Sequence, residues 1–118
     1  MALTKATVNL HPSADPAAAA AVTEASVNIT AIYGGEVAWK ITNGAAAPTT
    51  APTVEVQVSD DNVNFYRLFL VGGDLVALSV NSGAYPVKVA SMYIRTIVTA
   101  GATNASVFLV KMEQISSY

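Results

Sequence analysis

Asp60-Asp61-Asn62 is the only acidic cluster in this chain, so it is the first place to look for chemistry. Three oxygen-bearing side chains in one loop could help hold Ca²⁺. The alternating ligand spacing of an EF-hand and its distal bidentate Glu are missing. Asp and Asn at such a place bond their own backbone and close turns, which is how we read the cluster. His11 is the only histidine and sits beside Pro12. A base on a mobile segment cannot be held with the precision that proton transfer needs. None of the serines lies in a Gly-x-Ser-x-Gly elbow, and Gly34-Gly35 and Gly72-Gly73 read as hairpin turns, not as a phosphate-binding loop. Cysteine is absent. The sequence therefore predicts no catalytic residue, no metal site and no cofactor.

The aromatic residues are more informative. Tyr66, Tyr85 and Tyr93, with Asp60, Asp61 and Asn64, could form a sugar-binding platform. The same tyrosines could instead pack on a neighbouring subunit, because Tyr joins an apolar body to a polar tip. Phe65 and Tyr66 are adjacent, so on a strand they face opposite sides. We take the interface reading and keep the glycan as its alternative.

Composition narrows the partners. The net charge is −2 and the six cations are scattered. Nucleic-acid binding needs a basic footprint, which is missing. No polybasic cluster or apolar run of about 20 residues points to a membrane. At 53% hydrophobic and 12% charged, the chain is far less charged than the usual ~25%. That excess predicts surface meant for other subunits. Met-Ala-Leu-Thr-Lys does not open like a signal peptide, so synthesis in a host cytoplasm is expected. The sequons at Asn28 and Asn104 are then chance matches.

The elements that must carry these residues are strands. Val54, Val56 and Val58 alternate with Glu55, Gln57 and Ser59, the period of a half-buried strand. Residues 53–59 and 64–71 make a hairpin around the acidic turn. Further strands are expected around Val27–Ala31, Val37–Ile41, Leu75–Val80, Tyr85–Ala90, Met92–Thr99 and Ala105–Ile115. Pro86 suits an edge. Asn43–Pro52 is too rich in Pro and small residues to pair. Residues 1–24 differ: a strand over Leu3–Leu10, then an Ala/Pro connector in which Asp15 and Pro16 could start one helical turn. The sequence thus predicts an all-β protein, an antiparallel, jelly-roll-like β-sandwich over 25–118 with an extended N-terminal arm and connector over 1–24. An immunoglobulin-like sandwich is the second choice.

The hairpin Val54–Leu68 and the segment Ser91–Val110, with its Tyr93-Ile-Arg-Thr-Ile-Val-Thr-Ala-Gly101 run, resemble the small β-sandwich virion proteins of tailed bacteriophages. The likeness spans roughly residues 53–112. It implies a capsid decoration (cement) protein on the capsid surface of the virion, bound to the major capsid protein as a homotrimer. A tail or fibre module that binds a host-surface glycan is the alternative. Leu3, Val8 and Leu10 of the arm and Tyr66, Arg67, Tyr93 and Arg95 of the two hairpins are the expected partner contacts.

Overall fold

In a computed structural model, residues 4–32, 34–87 and 92–117 are described. Among them the chain contains no helix and forms strands β1 (Thr4–Asn9), β2 (Ala21–Thr23), β3 (Val27–Asn28), β4 (Gly34–Asn43), β5 (Thr53–Ser59), β6 (Tyr66–Gly72), β7 (Val80–Val87), β8 (Tyr93–Thr99) and β9 (Ser106–Ser117). Sheet A has the order β1-β9-β4-β7. Sheet B has the order β2-β8-β5-β6, and β3 also pairs with β8. All described pairings are antiparallel.

Taking β2 and β3 as one interrupted strand, the first strand pairs with the last, the second with the last but one, β4 with β7, and β5 with β6. This is a long antiparallel ribbon rolled up on itself, the connectivity of a jelly roll. The expected sandwich and its jelly-roll wrapping are both present.

Alternation explains the layers. Val54 and Val56 of β5, Ile94, Thr96 and Val98 of β8, Val37 and Ile41 of β4, and Val110 and Met112 of β9 are all buried between the sheets. Their neighbours Glu55, Gln57, Arg95, Lys40 and Lys111 face outward, as a two-residue period requires. Burying each such aliphatic side chain contributes about 1.5–3 kcal/mol. Along the β6–β7 flank the sheets are bridged by rings: Phe69 lies 5.3 Å from Trp39 and 5.1 Å from Tyr85, centroid to centroid. Trp39 also covers Gly83, where a side chain would run into the indole.

The Ala-Pro-Thr loop over 44–52 is a packed cap. Thr49 donates its N–H to Ala102, Asn104 reaches the carbonyl of Ala47, and Ala102 donates to the Thr50 hydroxyl. The connector joins the same end, where Ala19 and Ala100 donate to Gly101 and Ala20 respectively.

The strand expected over Leu3–Leu10 is present as β1, an edge strand of sheet A paired with β9 along its length, and not as an arm reaching away from the domain. Four expectations are corrected. Residues 75–79 of the expected 75–80 strand are instead a loop: Asn43 Nδ2 donates to the carbonyls of Asp74 and Val76 at 2.7 and 2.9 Å, and Leu78 turns to φ 60°. β7 starts only at Val80 and runs through Asn81, Ser82 and Gly83; the end of the expected 85–90 strand lies outside the described residues. Gly34-Gly35 opens β4 and is not a hairpin turn. The helical turn after Asp15 is absent, because the Asp15 carboxylate is bonded elsewhere.

Candidate functional site

Two of the expected contact residues lie in one row on the outer face of sheet B. Gln57 is opposite Arg67 on one side and Arg95 on the other. Arg95 Nε donates to Gln57 Oε1 at 2.8 Å, and Gln57 Nε2 donates to Glu55 Oε2 at 2.6 Å. Arg67 Nη2 donates to Glu55 Oε1 at 3.3 Å. The Arg95 guanidinium also lies 3.8 Å above the Phe65 ring, a cation–π contact that holds its plane against the sheet. One carboxylate thus holds Arg67 directly and Arg95 through Gln57. Each guanidinium carries five N–H donors, and among the described residues each uses one of them, on Glu55 and Gln57 respectively, leaving the others to meet a partner's carboxylates or carbonyls.

Tyr93 stands on the same face as Arg95, two residues away, and is half-buried opposite Ser59 and Asn28. Tyr66 is 67% exposed but projects from the other side of β6 than Arg67. Sequence adjacency therefore brings Tyr66 to the same corner without placing it in the row.

The acidic turn between these strands is organised by Asp61. Its Oδ1 accepts the N–H groups of Val63 at 2.9 Å and Asn64 at 2.8 Å, and its Oδ2 accepts Asn64 Nδ2. Those backbone and side-chain donors on Asn64 and Val63 hold its carboxyl well below the usual carboxylate range. A depressed folded value adds stability above the unfolded carboxyl's pKa of about 4, and that stability is lost as pH falls through the folded value. Asp61→Ala should therefore lower the melting temperature at pH 7. From about pH 4 downward, where Asp61 in the unfolded chain becomes protonated, the gap to wild type should narrow progressively. Thermal melts across that range check this; a gap constant down to about pH 2 would remove the charge from the account.

The arm candidates are corrected. Leu10 is only 3% exposed and belongs to the chain's own core, and Val8 packs against that core from β1. Leu10 is therefore not free to meet a partner, and Val8 keeps only part of its surface exposed. Leu3 lies outside the described residues.

His11, expected on a mobile segment, is in fact buried. Its Nε2 is 2.9 Å from Asp15 Oδ1, and its Nδ1 faces Glu24 Oε2 at 3.5 Å, within ion-pair distance but outside hydrogen-bond geometry. Asp15 also accepts the Phe108 N–H, and Glu24 accepts that of Ser13. The cluster ties the two ends of the connector to each other and, through Phe108, to β9. The His11–Asp15 spacing was the one sequence signal for it. Among the described residues no group of three or more His, Cys, Asp or Glu is arranged to hold a metal ion.

The apolar excess of the composition also reaches the surface at a place that no sequence pattern singled out. Leu75, Val76 and Leu78 of the 73–79 loop are exposed, Leu78 by 72%, and Val80, Val107 and Leu109 continue the apolar area on the outer face of sheet A.

No family model matches the chain, and no curated protein matches it. Solved structures do. PBSX exported protein XepA aligns over 96% of this chain at TM-score 0.65 and 16% identity, and the chain covers 38% of that protein. A chain of infectious bursal disease virus, Gx strain, aligns over 97% at TM-score 0.54 and 11% identity, with 32% of it covered. The chain thus spans well under half the length of both. At these identities the likeness is one of fold: an antiparallel β-sandwich of a kind present in a PBSX exported protein and in a virus.

Proposed function

We propose that this chain is a structural virion protein, a decoration protein that binds the outside of a phage capsid and stabilises its lattice. The observation that carries the reading is the Arg67–Gln57–Arg95 row with its Phe65 stack. It is a flat, preorganised set of donors, and Arg and aromatic residues are the types that dominate binding energy at interfaces. The partner is the major capsid protein, met through acceptors on the shell. A protein that binds only the assembled lattice stabilises it by mass action. The fold's presence in XepA and in a virus supports the reading, as does the resemblance of the two hairpins. The proposal is one of binding and assigns the chain no reaction.

Imaging of the particle that carries the chain, together with co-sedimentation on purified heads, tests this. Density on the shell is expected, and Arg67→Glu with Arg95→Glu should weaken head binding by at least about 10-fold. Density at the tail tip would overturn it. The exposure of Tyr66 beside the Asp61 turn favours one second reading, a glycan-binding tail module. In that case glycan binding should be measurable and should be lost in Tyr66→Ala.

A further inference from the structure

We infer that β7 is a pairing edge for a second copy of this chain, joining two A sheets into one continuous sheet about a two-fold axis at Ser82.

The four flanks of the sandwich differ in how they are protected. Natural sheets blunt their edges with charge, bulges or very short strands. β1 carries Lys5. β6 carries Arg67, and its register with β5 is broken by a bulge between Val56 and Gln57. β2 and β3 are three and two residues long. β7 has none of these protections. It runs eight residues, keeps an unbroken register with β4, and contains no charged residue from Val80 to Val87. Only Pro86, near its end, is an edge device.

The free backbone groups of β7 follow from its pairing with β4. Asn43 donates its N–H to Ser79 O while the Ser79 N–H turns back to Val76 O, so the Asn43–Ser79 position has the phase of a hydrogen-bonded pair, with one of its two bonds made. In an antiparallel ladder such pairs alternate with pairs that point their groups away. Asn81, Gly83 and Tyr85 therefore face β4. Val80, Ser82 and Ala84 turn their N–H and C=O groups to the open edge. An antiparallel partner centred on Ser82 places Ser82 against Ser82 of the second copy, and Val80 against its Ala84. Each of these three residues then donates and accepts once.

The side chains fit the same arrangement. Val80, Ser82 and Ala84 are small and uncharged, so two copies meet without like-charge repulsion. Among the described residues the nearest cation on that face is Lys40, opposite Ser82 on β4. Two copies would hold their Lys40 residues three strand spacings apart, about 14 Å, beyond the ~8–10 Å screening length at physiological salt. The exposed Leu75, Val76 and Leu78 lie directly before β7, on a loop that Asn43 fixes, and flank the joint. The contact is isologous and closes at two copies. It replaces the three-copy assembly implied by the resemblance.

The chain has no cysteine, so a single one reports cleanly. In the paired arrangement the two Ser82 Cα atoms stand about 5.5 Å apart, within disulfide range. Under mild oxidation, Ser82→Cys should convert mostly to a covalent dimer, whereas Thr7→Cys on the opposite edge should not. Wild-type protein should show a dimer mass by light scattering. Ala84→Lys, which leaves the core untouched, should raise the dimer dissociation constant by at least about 10-fold, with the melting temperature at high dilution unchanged. A wild-type monomer at about 100 µM, a trimer, or equal cross-linking at residues 7 and 82 would overturn the inference.

Discussion

A chain beginning at Ala25 should show no cooperative unfolding transition. Removing residues 1–24 takes β1 from sheet A and β2 from sheet B, with the whole β1–β9 and β2–β8 ladders. It also removes Leu10 from the core and His11 from the packed cluster. A domain is stable by only about 5–15 kcal/mol, and Leu10 alone, buried to 3% exposure, stands for about 2–5 of these on truncation. β9, stripped of its outer partner, would become a long open edge, broken only by Lys111 and Glu113, and a route to aggregation. Circular dichroism melts and amide dispersion in an NMR spectrum check this. A truncated chain that melts cooperatively near the wild-type temperature would restore the segment to the status of an arm.

His11→Ala should be the most damaging single substitution in the connector. It leaves Glu24 and Asp15 facing a void, with Glu24 only 6% exposed. Orphaning a buried polar partner costs about 1–3 kcal/mol, and more for a charged one. We expect a loss of about 2–4 kcal/mol, or roughly 8–15 °C in melting temperature for a chain of this size. A double variant, His11→Leu with Glu24→Leu, should recover part of the loss, because replacing both partners by apolar groups removes the unpaired charge. If His11→Ala melts within about 2 °C of wild type, the cluster does not hold the connector.

Strands whose apolar residues alternate were legible from sequence. Residues 53–59 are found as expected because Val54, Val56 and Val58 can face only one way, and β8 and β9 fall within a residue or two of their expected limits. Segments whose structure is imposed from far away were not. Leu75–Val80 has the composition of a strand, yet the Asn43 side chain, some thirty residues earlier, donates to carbonyls at its start and fixes it as a loop. His11 beside a proline looks unanchored until Asp15 is seen to bond Phe108, which lies far along the chain. The contact surface was legible in part. Arg67 and Arg95 were named, but their meeting on either side of Gln57 depends on the β5–β6 bulge, which no periodicity announces.

The order of sheet A bears on how the protein is made. β9, the final described strand, lies between β1 and β4. Until residues 106–117 have left the ribosome, β1 has none of the pairing seen here, and β4 lacks one of its two neighbours. The nascent chain therefore holds its first strand in waiting while eight others are made. Completion of sheet A therefore waits on its last strand and rests on distant pairings.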